Sequence, residues 1–362
     1  MTLICKSAPT NDDTHGHPDP LKIAFMTLPN TPKPISRRRW LAVASALGLA
    51  TQTAFAQARQ LLRISTPAIP DDWHAKMWTV MKEQLDKTAP GLFDVQISLN
   101  ASLFKQGAEP VAMARGNLEM TTLSAFDMAK QVPEFSIFTA GYVIRDPAHL
   151  MKVFNGPIGD ALFKRVSEKM DITVLAPIYY GTRQLNLRDV RKVTTPADLK
   201  GVKLRMPGSK EWLFLGEALG ATPTPLAFGE VYLGLRTGTI DAQDNPLPTV
   251  KTAKFYEVTK QITLTGHLVD VLFIGVSNKL WASLTPDQKT KLKSAAQAAA
   301  LYNNEKRIAD ENQMVDFFKS QGLTVTTPDV AAFRKSVQTT YLQSDYAKVW
   351  PKGLLERINA TK

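Results

Sequence analysis

The chain has 362 residues, of which 44% are hydrophobic and 21% charged, a composition typical of folded globular proteins. This length is enough for two domains, because a single hydrophobic core rarely grows beyond about 250–300 residues. The net charge of the full chain is +11, and after Ala56 the lysines and arginines are dispersed. No basic run of the kind that binds nucleic acid follows Ala56. The surplus is either an ordinary solvated surface or an attraction for small anionic ligands.

The N-terminal segment has the pattern of a secretory signal peptide. Arg37, Arg38 and Arg39 precede an apolar run over residues 40–55 that is too short to span a bilayer. We expect cleavage after Ala56 and export to the periplasm, and we interpret residues 1–25 as an over-long N-terminus with Met26 as an alternative start. Residues 36–41 also resemble a twin-arginine signal, and a Sec signal fits the same residues equally well.

The first part of the mature chain alternates strand and helix patterns. Strands are predicted at 61–66, 93–99 and 118–123, and helices at 73–87 and 109–115. This β-α-β-α-β order predicts a parallel sheet covered by helices.

A second unit begins with another β-rich run. The patterns predict strands at 173–180, 202–206 and 240–242, helices at 209–219 and 228–236, and a turn at Asn245-Pro246. Residues 262–276 form a β-rich stretch long enough to run through both units. Chain crossing by such segments favours a two-lobed fold with a hinge.

The C-terminal third is predicted to be helical. Apolar residues recur at gaps of three, four and seven over residues 286–320, which fits one long amphipathic helix bracing the two units. Helices at 333–341 and 346–358 complete the chain. We place lobe I at 57–180 plus 271–310, and lobe II at 181–270 plus 311–362.

Motifs for catalysis and metal binding are missing from the sequence. It has no nucleophile elbow, zinc-protease motif, phosphate-binding glycine loop or dinucleotide fingerprint. The only cysteine, Cys5, lies in the segment expected to be removed. His267 near Asp270 is a candidate acid–base pair, although a structural histidine is more common. We expect no catalytic residue, no metal and no cofactor.

Several segments carry a family resemblance. They are residues 179–184, 201–208, 219–233, 238–247 and 254–258, with Thr265 and His267. They closely resemble the substrate-binding subunit of tripartite ATP-independent periplasmic (TRAP) transporters, the DctP-type family. The resemblance covers essentially the whole mature chain in order. It implies an α/β, two-lobed, type II-like periplasmic binding protein fold, in which each lobe is a mixed sheet flanked by helices.

The resemblance also implies a function and partners. The protein would capture a small organic carboxylate (a C4-dicarboxylate, a hydroxy or keto acid, or a sugar acid) and deliver it to a small and a large integral membrane subunit. We expect a monomer that is not an enzyme. A receptor for another importer or for a sensor kinase remains an alternative, and a periplasmic enzyme is disfavoured by the missing catalytic pattern.

Arg205 is the leading candidate for the ligand contact. It ends a predicted strand, where parallel α/β sheets present their ligand crevice, and its planar guanidinium fits a carboxylate bidentately. The resemblance assigns it the role of carboxylate clamp, Asn245 that of an amide donor to the same carboxylate, and Arg183 that of a second basic position that touches ligand or braces the pocket. Further candidates are the wall or core residues Trp212 and Phe214, the tyrosines Tyr142 and Tyr180, and the lobe I residues Thr66, Lys105 and Ser124.

The N-terminal lobe differs from the sialic-acid binders of that family. They carry an acidic residue in the loop where this chain reads Leu123-Ser124-Ala125, and the loop around Lys105 is shorter here. These differences disfavour a nine-carbon sugar acid and favour a smaller monocarboxylate or dicarboxylate.

Overall fold

The structure, a computed structural model, describes residues 59–362. The predicted signal peptide, the twin-arginine-like residues and Cys5 lie outside the described residues. Across 59–362, no helix combines the length and the apolar character needed to cross a membrane.

The centre of the fold is one mixed sheet of nine strands, in the order β2-β1-β3-β8-β4-β7-β5-β6, with β9 pairing to β8. The strands β1 to β3 are parallel to one another, as are β5 to β7. The strands β4 and β8 run antiparallel to each other, β8 is antiparallel to β3, and β4 is antiparallel to β7, whereas the short β9 is parallel to β8. The strands are β1 (Gln60–Ser65), β2 (Phe93–Ser98), β3 (Met120–Ser124), β4 (Ile172–Leu187), β5 (Lys203–Met206), β6 (Thr222–Pro225), β7 (Ala242–Pro246), β8 (Gln261–Ser277) and β9 (Thr324–Thr326).

Two long strands, β4 and β8, join the halves of this sheet. We call the half with β1 to β3 lobe I and the half with β5 to β7 lobe II. The predicted crossing of both units by one β-rich stretch is confirmed by β8. The strand β4 is longer than the predicted 173–180, because three register shifts, the last between Arg183 and Leu185, break its alternation of apolar and polar residues.

Helices cover the sheet in both lobes. They are α1 (Trp73–Thr88), α2 (Glu109–Ala114), α3 (Ala125–Ala129), α4 (Pro147–Phe154), α5 (Pro157–Met170), α6 (Lys210–Ala218), α7 (Val231–Thr237), α8 (Leu247–Thr252), α9 (Asn278–Ser283), α10 (Pro286–Ser320), α11 (Val330–Leu342), α12 (Asp345–Lys348) and α13 (Leu354–Ala360).

The long helix α10 has the predicted bounds. Thr285 and Gln288 form a capping box at its start, and Pro286 occupies a position that needs no donor. Asn303 and Asn304 bond to the backbone of Tyr179 on β4, at 2.8 Å each. The helix is therefore fixed to the strand that joins the lobes.

Several predicted boundaries differ from the structure. The strand predicted at 240–242 is β7 at Ala242–Pro246, and the helix predicted at 228–236 begins at Val231. The predicted helix 346–358 is split into α12 and α13, because Pro351 lacks a donor and Gly353 has a φ of +75°. Asn245 and Pro246 end strand β7 rather than forming a turn, and Asn245 pairs with Gln184 of β4. The exact lobe limits proposed above remain a prediction.

Candidate ligand-binding cavity

A cavity of about 360 Å³ lies between the two lobes. Lobe I contributes the loop after β1, the start of α1, the loop before α2, and residues at the end of β3. Lobe II contributes the ends of β5, β6 and β7, and the joining strands supply Tyr180, Arg183 and Asp270. The size falls within the range of small-molecule sites, about 300–1,000 Å³.

Arg205 reaches this cavity from β5 and has no ionic partner there. Its side chain is buried, with 1% of the residue exposed. The Nε atom donates to the carbonyl of Leu226 at 2.8 Å, but within residues 59–362 the buried Nη2 makes no hydrogen bond and the side chain makes no ion pair. Burial lowers the pKa of Arg205 to about 10. A buried guanidinium without a counterion is costly unless an anion neutralises it.

Arg183 also lines the cavity, but the protein supplies its partners. Its Nε donates to Asp270 at 2.7 Å, and its Nη1 donates to the carbonyl and the carboxylate of Asp244 at 2.8 and 3.3 Å. Burial alone would lower the pKa of Arg183, but Asp244 and Asp270 outweigh it and raise the pKa above its usual value. This arrangement favours the bracing role among the two that the sequence left open.

His267 does not pair with Asp270, contrary to the candidate acid–base pair. Its Nε2 lies 3.1 Å from Asp244 and its Nδ1 lies 2.7 Å from the hydroxyl of Thr265. His267 is fully buried and is not among the cavity-lining residues. The Asp270 carboxylate is instead occupied by Arg183, so His267 supports the arginine through Asp244.

Asn245 and Trp212 stand beside these arginines. The Asn245 amide donates to Gln243 at 2.6 Å, and its oxygen lies 3.5 Å from Nη1 of Arg183. The Arg183 guanidinium lies over the ring of Trp212 on α6, with its Cζ atom 4.4 Å from the ring centroid. The same ring stacks on Phe126 of lobe I, with 3.5 Å between the ring centroids. The Asn245 and Trp212 side chains both line the cavity.

Two further candidates, Ser124 and Tyr180, also line it. The Ser124 hydroxyl caps α3 by accepting from the Asp127 backbone and donates to the Asp127 carboxylate at 2.8 Å. The Tyr180 ring lies under the guanidinium of Arg307, 4.3 Å from its centroid. Both have protein partners that fix their orientation.

Four candidates do not line the cavity: Phe214, Tyr142, Thr66 and Lys105. Phe214 packs against Tyr341 and Tyr346, because it occupies a different face of α6 from Trp212. The Tyr142 hydroxyl donates to the carbonyl of Thr265 at 2.9 Å.

Thr66 and Lys105 miss the cavity for local reasons. Thr66 is fully buried, and its hydroxyl accepts from the backbone of Ala68. Lys105 is exposed, and its neighbours Gln106 and Gly107 line the cavity in its place.

Several cavity residues were not anticipated from the sequence. His74 on α1 lies 2.7 Å from the hydroxyl of Thr122, and burial lowers its pKa to about 4. Burial raises the pKa of Glu109 to about 7. The acidic residue Asp127 lies on α3, two residues beyond Ala125, the end of the loop that lacks the acidic residue of the sialic-acid binders. No local pattern marks these positions, because burial in a cleft depends on the second lobe.

Among the contacts that join the lobes within residues 59–362, two lie beside the cavity. One is the Phe126–Trp212 stack, and the other is a hydrogen bond of 3.0 Å from the Phe228 backbone of lobe II to the Gln106 side chain of lobe I. They close the cleft over the cavity. Nowhere in residues 59–362 do three His, Asp, Glu or Cys side chains cluster in a way that could hold a metal ion.

Known proteins share both the sequence and this architecture. The family described as bacterial extracellular solute-binding protein, family 7, matches residues 66–348. The chain is 32% identical to the sialic acid-binding periplasmic protein of Vibrio cholerae, over 74% of this chain and 82% of the relative. It is 30% identical to the 2,3-diketo-L-gulonate-binding periplasmic protein of Escherichia coli, over 77% and 85%.

A solved structure is more similar still. The TRAP periplasmic solute-binding protein of Roseobacter denitrificans with bound 3-deoxy-D-manno-oct-2-ulosonic acid (KDO) has 46% identity and a TM-score of 0.81. The alignment covers 84% of this chain and all of that one. These proteins are solute-binding proteins, and their two-lobed fold is the one described above. The chain therefore belongs to the bacterial extracellular solute-binding protein family 7, the DctP-type solute-binding subunits of TRAP transporters.

Proposed function

We propose that the protein binds a monoanionic sugar acid between its lobes and delivers it to the membrane subunits of a TRAP transporter. The observation that carries this proposal is the buried Arg205 guanidinium, which has an unpaired Nη2 within residues 59–362 and faces a cavity of about 360 Å³. A carboxylate placed there would supply the missing charge and accept two charge-assisted hydrogen bonds, each worth about 1.5–3 kcal/mol.

The charges lining the cavity support a ligand with one carboxylate. Of the lining cations, Arg183 is paired with Asp270, and Lys130 is paired with Asp127 at 3.0 Å. Among the residues that the structure describes, this leaves Arg205 as the lining arginine or lysine without a carboxylate partner. A dicarboxylate would need a second free cation, so this charge pattern favours the monocarboxylates among the acids expected from the sequence.

Relatives support the sugar-acid class. The similar structure from Roseobacter denitrificans holds the eight-carbon acid KDO, and another from that species, with 26% identity and a TM-score of 0.77, holds L-galactonate. The cavity of this chain is lined by polar side chains that suit hydroxyl groups, including His74, Gln106 and Asn245.

We further propose that the chain acts as a monomer without catalytic activity in the periplasm, after cleavage of its signal peptide near Ala56. The family and the ligand-bound neighbours support a binding role. Transport energy would then come from an ion gradient across the membrane, not from this chain.

The test begins with a thermal-shift screen over sugar acids, hydroxy and keto acids, and C4-dicarboxylates, with KDO included. The tightest acid is then titrated by calorimetry into the wild type and Arg205→Lys. We expect Arg205→Lys to weaken binding by about tenfold to a hundredfold, since an ammonium group cannot form the bidentate pair.

The matched control is Arg188→Lys, because Arg188 lies outside the cavity and pairs with the exposed Asp189 at 2.9 Å. Its affinity should equal that of the wild type, and circular dichroism should show all three proteins folded. An Arg205→Lys variant with unchanged affinity would contradict the clamp.

A further inference from the structure

Two residues that line the cavity each have a buried polar atom without a hydrogen-bond partner within residues 59–362; one atom is a donor and the other is an acceptor. Of the cavity-lining side chains, those with a buried atom that makes no hydrogen bond within residues 59–362 are Arg205, through Nη2, and Glu109, through Oε1. The first is a donor on lobe II and the second is an acceptor on lobe I. Buried polar groups in native proteins are nearly always satisfied, so the pair describes what a bound ligand must supply.

Glu109 is held in position by its own loop. It is the first residue of α2, only 4% of it is exposed, and its Oε2 accepts from the Gly107 backbone at 2.7 Å. This bond fixes the carboxyl group and leaves Oε1 directed away from it. Glu109 therefore lines the cavity with a carboxyl group that its own loop holds in place and that keeps one acceptor without a partner in residues 59–362.

The charges around Glu109 disfavour a second anion. Asp127 on α3 faces it, and Lys130 is already paired with Asp127 at 3.0 Å. Burial, with a contribution from Asp127, raises the pKa of Glu109 to about 7. The other charged groups lining the cavity are Asp72, Arg183, Arg205, Glu230 and Asp270.

We propose that Glu109 is a specificity-determining residue that accepts a hydrogen bond from a ligand hydroxyl and rejects a second carboxylate. The acid group of the ligand lies at Arg205, and a hydroxyl group lies at Glu109. The cavity thus takes hydroxylated monocarboxylates and excludes dicarboxylates of the same length. This assignment rests on the carboxylate-binding role proposed above.

Matched pairs of acids test this directly. Galactonate and galactarate share a six-carbon chain and differ only in a terminal hydroxymethyl or carboxylate group. Erythronate and meso-tartrate form the corresponding four-carbon pair. Calorimetry on the wild type should show that the monoacid of each pair binds at least about tenfold more tightly than its diacid. In the diacid complex, the hydrogen bond from the ligand hydroxyl to Glu109 is replaced by a contact between two like charges. KDO is titrated alongside them as a further monoacid.

The decisive variant is Glu109→Gln, which keeps the shape and removes the charge. We expect monoacid binding to weaken about threefold to tenfold and diacid binding to tighten, so that the preference falls by about tenfold. Misfolding cannot produce tighter diacid binding. A wild type that binds galactarate as tightly as galactonate, or a preference unchanged in Glu109→Gln, overturns the proposal.

The matched control is Glu211→Gln. Glu211 is a carboxylate that is 1% exposed, with an Oε2 that makes no hydrogen bond within the described part of the chain, but it lies outside this cavity. The Glu211→Gln variant should prefer the monoacid over the diacid by the same factor as the wild type. Failure of every acid to bind would refute the proposed function itself, whereas binding without any effect of Glu109→Gln refutes only the present inference.

Proton linkage gives a second readout. A ligand hydroxyl donates best to the ionised carboxylate, so monoacid binding should release a proton and weaken as pH falls through about 7, the pKa of Glu109. Glu109→Gln should lose this dependence. An identical pH profile in wild type and variant contradicts the role of Glu109.

Discussion

Two arginines flank β7 in the sheet, Arg183 on β4 and Arg205 on β5, and their surroundings differ. The partners of Arg183 are Asp244 and Asp270, which are 61 and 87 residues away in sequence. Within residues 59–362, the Arg205 side chain donates to one protein acceptor, the carbonyl of Leu226. The sequence identified Arg205 by its place at a strand end and Arg183 by the family resemblance. Only the fold decides which of them has a carboxylate partner, because the two carboxylates that pair with Arg183 arrive through long-range strand pairing.

Residue-scale electrostatics also predict a pH effect on stability through His74. Burial lowers the pKa of His74 to about 4, below the usual 6.5, so the unfolded chain binds more protons between these values. Stability therefore falls as pH decreases through this window. We expect the wild type to lose about 2 kcal/mol relative to His74→Gln between about pH 7.5 and about pH 5, measured by urea unfolding.

Comparison with His74→Gln is necessary because Glu109 acts in the opposite direction. Its pKa of about 7 is raised from 4.5, so the folded state binds its proton more tightly and gains stability as pH falls. That contribution is the same in both proteins and cancels in the difference. Equal pH profiles for the wild type and the variant would show that His74 is not held neutral by burial.

At the scale of elements, regular patterns in the sequence predicted regular structure. The strand β2 follows from a strict alternation of apolar and polar residues, and the helix α10 follows from apolar residues that recur at gaps of three, four and seven. The sequence did not predict α4 or α5, and it predicted only half of β4. Register shifts between Tyr179 and Gly181, and again between Arg183 and Leu185, change which residues face the core, so the alternation fades although pairing with β8 continues.

Gly181 at one of these shifts gives an element-scale prediction. Its φ is +125°, and a Cβ there would lie 2.4 Å from Cβ of Pro246 on β7. We expect Gly181→Ala to lower the free energy of unfolding by about 2–4 kcal/mol, from backbone strain plus overpacking. Gly91→Ala is the matched control, because Gly91 has a φ of +75° with nothing within 4 Å, and it should cost about 1 kcal/mol. Urea unfolding of both variants measures the difference, and equal costs would contradict close packing of β4 on β7.

At the scale of the whole molecule, the lobes meet through direct contacts between protein side chains and backbone, in addition to any contact through the ligand. Phe126 on α3 is fully buried, does not line the cavity, and stacks on Trp212 of lobe II with an interplanar angle of 4°. The Gln106–Phe228 hydrogen bond spans the same cleft. Such contacts stabilise the closed form, and a ligand that binds the closed form better then needs less of its binding free energy to shift the population.

The Phe126–Trp212 stack makes this coupling measurable. Aromatic pairs contribute about 0.5–1.5 kcal/mol beyond buried area, so Phe126→Leu should weaken ligand binding about twofold to tenfold without touching the ligand. Phe135→Leu is the matched control, because Phe135 is equally buried but packs on Phe138 and Phe273 within lobe I. Both variants should lose stability in urea, and only Phe126→Leu should lose affinity in calorimetry. If both lose affinity equally, general loosening of lobe I explains the effect, and the stack does not contribute to closure.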